Sequence, residues 1–185
     1  MQTVTLTCHP TTPCEAVGHI SAYIKTSPAG TLTLEYSLEG DIGHLRIPAE
    51  GVPRRADTLW QHTCFEAFVA AREVAAYYEF NFAPSGEWAM YRFGAYREGM
   101  IKVEAAQTSI SARRDTQRLV LQAVVDLKEL GEFRNRAELR LALAAVIEEN
   151  NGRLSYWALA HPSSKPDFHH ADSFALRLDQ HRRLA

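Results

Sequence analysis

The chain has 185 residues, of which 46% are hydrophobic and 23% charged, with a formal net charge of −2. That balance is ordinary for a globular protein and carries no basic footprint for nucleic acid or an acidic membrane surface. No apolar run approaches the roughly 20 residues of a bilayer-spanning helix, and Cys8, Cys14 and Cys64 are spaced for neither a disulfide framework nor a zinc site.

A chain this long buries about 70% of its unfolded surface without help from disulfides or metal. One domain covering 1–185 is therefore expected, since no stretch reads as a linker. The start of the chain lacks a basic segment followed by an apolar run. A cytoplasmic protein with three reduced thiols is the expectation.

Apolar residues alternate with period two along most of the chain, the mark of strands with one buried face. Thr31–Glu39 is the first predicted strand, and Gly40-Asp41-Ile42-Gly43 turns it toward His44–Pro48. After the polar connector Gly51–Arg55 come strands at Trp60–Ala70, Ala75–Phe82 and Trp88–Phe93. Ala83-Pro84-Ser85-Gly86 is a tight turn between the last two, and Tyr96–Met100 reads as loop. Leu119–Leu127 and Leu139–Glu148 are further strands, although Leu127–Phe133 and the Ala/Leu/Glu-rich 137–149 also have a helical composition. Asn150-Asn151-Gly152 is the strongest hairpin signal, and strands at Ser155–Ala160 and Ser173–Leu178 close the series. Many short strands with frequent turns predict an all-β, two-sheet antiparallel sandwich.

The middle of the chain is the most informative. A four-residue turn at Ala83–Gly86 sets Phe80 opposite Ala89 and Tyr78 opposite Tyr91. A tight turn near Glu73–Val74 sets Val69 opposite Tyr78, Ala67 opposite Phe80 and Phe65 opposite Phe82. One side of this meander, Phe65, Ala67, Val69, Tyr78, Phe80, Phe82, Ala89 and Tyr91, is then core. The other carries Trp60, His62, Glu66, Phe68, Glu79, Asn81, Trp88, Met90 and Arg92. Tryptophans among carboxylates, an amide and a guanidinium suit a sugar: flat rings stack on its C–H faces while polar groups bond its hydroxyls. The same face could equally be covered by other segments of the chain, its tryptophans then being ordinary buried aromatics.

Two runs carry a resemblance: Leu59-Trp60-Gln61-His62-Thr63-Cys64-Phe65-Glu66-Ala67-Phe68, and Tyr77-Tyr78-Glu79-Phe80-Asn81-Phe82-Ala83-Pro84-Ser85-Gly86. With Lys165-Pro166-Asp167-Phe168-His169-His170-Ala171-Asp172-Ser173-Phe174, they resemble the DOMON-like superfamily over roughly residues 30–180, and within it the bacterial murB-like DOMON subgroup. That superfamily also holds the family 9 carbohydrate-binding modules. The resemblance implies a β-sandwich binding a sugar or a haem. In the sugar-binding modules an aromatic and a carboxylate six residues later flank the ligand, a spacing that Trp60 and Glu66 keep. A second aromatic completes the clamp, with Trp157 as candidate and Phe168 as alternative.

Other constellations point less clearly. His161, Asp167, His169, His170 and Asp172 share one segment, but adjacent histidines point to opposite sides of an extended chain, which argues against a shared metal. Haem would need axial ligands such as Met90 or Met100 with His161, and nothing in their spacing singles them out. Glu66 and Glu79 fall diagonally on neighbouring strands, like a glycosidase pair, yet paired acids on a sheet face are common without catalysis. Cys64 beside His62 sits among bulky aromatics, as an inert buried thiol does. The expectation is a non-catalytic module without cofactor that contacts a sugar through Trp60, His62, Glu66, Glu79, Asn81, Trp88, Arg92 and Trp157. A structural or protein-interaction domain is the alternative, and a haem-binding DOMON domain a further one.

Overall fold

A computed structural model of the chain describes residues 2–72, 74–104, 108–133 and 138–179. Twelve strands occur among them: β1 (Gln2–Cys8), β2 (Val17–Thr26), β3 (Thr31–Gly40), β4 (Cys64–Ala71), β5 (Tyr77–Phe82) and β6 (Trp88–Phe93) come first. They are followed by β7 (Ile101–Lys102), β8 (Thr108–Arg114), β9 (Arg118–Asp126), β10 (Glu138–Glu148), β11 (Leu154–Ala158) and β12 (Leu176–Asp179). The helical elements among the described residues are all three-residue 3-10 turns, including Leu127–Glu129 and Gly131–Phe133. None is long and apolar enough to cross a membrane.

All the strand pairs are antiparallel, and they follow one path, β7-β6-β5-β4-β10-β11-β1-β2-β3-β9-β8, with β12 added beside the start of β10. The all-β expectation is met, but the strands form one curled sheet, in shape half of a barrel, where two separate sheets were expected. The link is β1, whose Gln2–Leu6 pair with β2 while Thr7 and Cys8 pair with β11. Curling brings the two halves face to face over the main core. There Tyr36 of β3, fully buried, packs at 5.0 Å and a tilt of 35° against Phe65 of β4 and donates its hydroxyl proton to the Glu66 carbonyl at 2.8 Å.

Strand β10 settles the ambiguous composition of 137–149. From Leu141 to Glu148 every residue is buried, so the strand is central and apolar on both faces. Its alanines and leucines favour helix locally, and packing between β4 and β11 overrides that preference. Residue 137 and the expected turn residue Glu73 lie outside the described residues, yet the pairing of Val69 with Tyr78, Ala67 with Phe80 and Phe65 with Phe82 is as expected.

The next hairpin corrects the sequence reading. Phe80 pairs with Met90 and Phe82 with Trp88, one residue away from the expected register. The cause is the loop. Gly86 N–H bonds the Ala83 carbonyl, Ala83 N–H bonds the Glu87 carbonyl, and Gly86 has φ +90°. This is a three-residue loop, a turn closed by a glycine bulge, in place of a four-residue turn. The Asn150-Asn151-Gly152 hairpin uses the same pattern, with Gly152 at φ +83° and matching bonds between Glu149, Gly152 and Arg153. A Cβ at Gly86 would meet only ordinary contacts, so the cost of Gly86→Ala is that of the left-handed backbone. About 1–2 kcal/mol of stability should be lost in a denaturant titration.

Candidate functional site

The one-residue shift decides what β6 contributes to each face. Away from the main core the sheet presents Cys64, Glu66 and Phe68 from β4, Tyr77, Glu79 and Asn81 from β5, and Ala89, Tyr91 and Phe93 from β6. Val146 of β10 and Tyr156 of β11 continue this face. Two segments cover it. Residues 159–175 place Phe168 and Phe174 each 6.4 Å from Phe68, with the His169 ring at 5.0 Å. The segment 54–62 contains the 3-10 turn Leu59–Gln61 and is anchored by Asp57, which accepts from Tyr91 Oη (2.7 Å), Lys102 Nζ (2.6 Å) and Arg55 (3.0 Å). Those donors, Lys102 foremost, hold the Asp57 carboxyl well below the usual carboxylate range.

Between the two covering segments a pocket of about 450 Å³ remains, a size typical of small-ligand sites. Trp60, Tyr91, Phe93, Met100, Tyr156 and Phe168 wall it, while Glu66, Glu79, Arg97 and His169 supply its polar groups. Trp60 meets Tyr91 edge to face at 5.7 Å, and Tyr77 stacks flat on Phe93 at 4.9 Å behind the wall.

The two acids are the unusual element. Both are at least 95% buried, and Glu66 Oε1 has no hydrogen-bond partner among the described residues. Burial, and next the neighbouring Glu79, pushes the Glu66 carboxyl well above its ordinary range. Burial also raises Glu79, to about 7, against the pull of the Asn81 amide at 2.6 Å and of Arg97. A carboxyl raised to that degree holds its proton near neutrality.

The remaining polar groups form one tied cluster. Arg97, at φ +55°, donates its backbone N–H to Tyr77 Oη and its guanidinium to Asp167 at 2.9 Å. Asp167 also accepts from Tyr96 Oη at 2.6 Å. His169 Nδ1 lies 2.7 Å from Tyr77 Oη, and its Nε2 lies 3.6 Å from Glu79 Oε2. Burial, aided by Arg97, lowers the imidazole to about 4, so it is neutral at ordinary pH. With the Tyr77 oxygen accepting from Arg97, its proton is available to His169 Nδ1, which leaves the imidazole N–H on Nε2, toward Glu79.

The expected contact residues divide accordingly. Trp60, Glu66 and Glu79 line the pocket. Asn81 is fully buried behind them, bound to Glu79 and approached by Cys64 Sγ at 3.6 Å. His62 stands apart, 2.7 Å from Glu148 Oε2, an acid that Arg46 also holds at 3.0 Å. Trp88 and Arg92 are corrected: the register shift turns both to the side of Met90 and the main core. Trp157 is corrected as well, since it pairs with Ala145 on the core face and donates its indole N–H to Ser155 Oγ at 3.0 Å. Phe168, the alternative aromatic, does line the pocket, as does Tyr156, the opposite-facing neighbour of Trp157.

Tyr91, Phe93, Arg97 and His169 are pocket residues that the sequence reading did not select. The first two were hidden by the register, and the last two lie on loops, where periodicity carries no signal. The histidine-rich segment does not converge. His169 turns inward, His170 Nδ1 accepts from the Asp172 N–H, and His161 Nε2 is 2.8 Å from the Thr7 carbonyl. Met90 lies in the main core, and Met100 lines the pocket but His161 does not, so neither methionine is set opposite His161 across it. Cys64 is buried and its thiol is pushed well up, by burial and then by Glu66.

No known family model matches the sequence, and no curated protein does. Solved structures do match in fold. A candidate carbohydrate-binding protein of Bacteroides uniformis superposes over 83% of this chain and 75% of its own, with a TM-score of 0.60 and 16% identity. A family 9 carbohydrate-binding module of Caldicellulosiruptor kristjanssonii, solved in complex with glucose, superposes over 87% of this chain and 75% of its own, with a TM-score of 0.50 and 8% identity. At such identities the likeness is one of fold.

Proposed function

We propose that the chain is a single non-catalytic sugar-binding module, a DOMON-like relative of the family 9 modules, whose facing halves correspond to their sandwich. One observation carries this reading. An aromatic-walled pocket opens on the sheet face, with Trp60 at its mouth and the buried Glu66, six residues later, inside it. Trp60, Tyr156 and Phe168 offer flat apolar surfaces to a sugar ring, and Glu66 and Glu79 offer acceptors to its hydroxyls. The glucose bound by the family 9 neighbour supports the ligand class.

The reading also says which aromatic matters. Trp60 is 36% exposed, so Trp60→Ala removes a stacking surface without opening a core cavity. Glucose titration by calorimetry should show binding to the parent and a loss of about 10-fold or more in the variant, a stacking ring being worth roughly 1–3 kcal/mol. Melting temperature should stay close to the parent's. Parental protein that takes up no glucose or other simple sugar would sink the proposal.

A further inference from the structure

We propose that the pocket selects a sugar bearing a primary amine, its ammonium group seated between Glu66 and Glu79; this rests on the sugar-binding reading above. Glu66 pairs across the ladder with Asn81, and Glu79 with Phe68, so the two acids are diagonal neighbours on one face. Both are buried and both line the pocket. Their acceptor atoms are incompletely used. Glu79 Oε1 accepts from Asn81, its Oε2 is 3.6 Å from a neutral His169, and Glu66 Oε1 accepts nothing.

The pocket's own cation does not fill this gap. Arg97 lines the pocket, but its guanidinium is bound to Asp167 at 2.9 Å, and that pair is neutral as a unit. Tyr77, the other titratable group of the cluster, is engaged by His169 and Arg97. Beyond the proton that burial keeps on Glu66, the two acids meet few donors. A sugar hydroxyl brings one donor and lone pairs that need donors in turn. An ammonium brings three donors, no acceptor and a positive charge; it takes the place of the proton that Glu66 then releases to solvent, and so complements two buried carboxylates. The aromatic walls that suit a ring also tolerate a cation beside their faces.

The test compares glucose, N-acetylglucosamine, glucosamine and the positional isomers of glucosamine by calorimetry on the intact chain near pH 7. At least one amino sugar should bind about 10-fold or more tighter than glucose, and N-acetylation, which removes the charge, should abolish the gain. Glu66→Gln should narrow the gap between the amino sugar and glucose. Because the ligand comparison is made on the parent protein, it decides even if that variant fails to fold. If glucose binds and no amino sugar exceeds it, the amine selectivity is wrong and the sugar reading stands. If none of these sugars binds, both fall.

Discussion

Phe68→Ala should cost about 3–5 kcal/mol of stability, the range for deleting a fully buried aromatic ring. The ring lies on the sheet face opposite the main core and supports the segment that closes the pocket, meeting Phe168, Phe174 and His169. Its loss should also release that segment. Proteolysis should then cut within residues 159–175 before it cuts the strands, and sugar binding should disappear with the wall that Phe168 provides. Urea denaturation and limited proteolysis on the same sample check both parts. A loss below about 1 kcal/mol with the segment still protected would mean that the face packs by other contacts.

How much of this was legible depended on counting residues around turns. The β4–β5 register followed from the tight turn expected near residues 73–74 together with alternation, because Phe65, Ala67 and Val69 then meet Phe82, Phe80 and Tyr78 on a face that must be buried. The β5–β6 register did not, because Gly86 in a left-handed conformation makes the loop one residue shorter than a four-residue turn. A one-residue slip sends every side chain of a strand to the other face. It exchanged Trp88 and Arg92 for Tyr91 and Phe93 as neighbours of Glu66 and Glu79. Trp157 was hidden differently: β11 has an aromatic on each face, Tyr156 toward the pocket and Trp157 toward the core, and composition cannot rank them. Trp60 and Glu66 were singled out by the resemblance, whose six-residue spacing does not depend on the register across a turn. Arg97 and His169 were not, since long-range folding alone brings residues 97 and 169 beside Glu79.

Stability should depend on pH through two acids of the pocket opposed by one imidazole. The unfolded chain releases the Glu79 proton near the ordinary 4.5, whereas the folded chain keeps it to about 7. Over that interval the folded state binds more protons, so this contribution is full below about pH 4.5 and is lost as pH rises through 7. It is worth on the order of 3 kcal/mol. His169 acts in the other sense. Its ordinary value near 6.5 is lowered to about 4, so between those values the unfolded state binds more protons and stability rises with pH by a similar amount. Glu66, raised in the same sense as Glu79, adds a second falling contribution from about pH 4.5, so with two acids against one imidazole stability falls between about pH 4.5 and 6.5. Above that the imidazole no longer offsets the acids, and the decline steepens. The parent's melting temperature should thus fall from about pH 4.5, and more steeply toward neutrality. In Glu79→Gln one acid is left against one imidazole, so the profile should be nearly flat from pH 4.5 to 6.5 and fall less steeply beyond. Melting curves across this range, parent beside variant, would refute the assignment if the two profiles ran parallel.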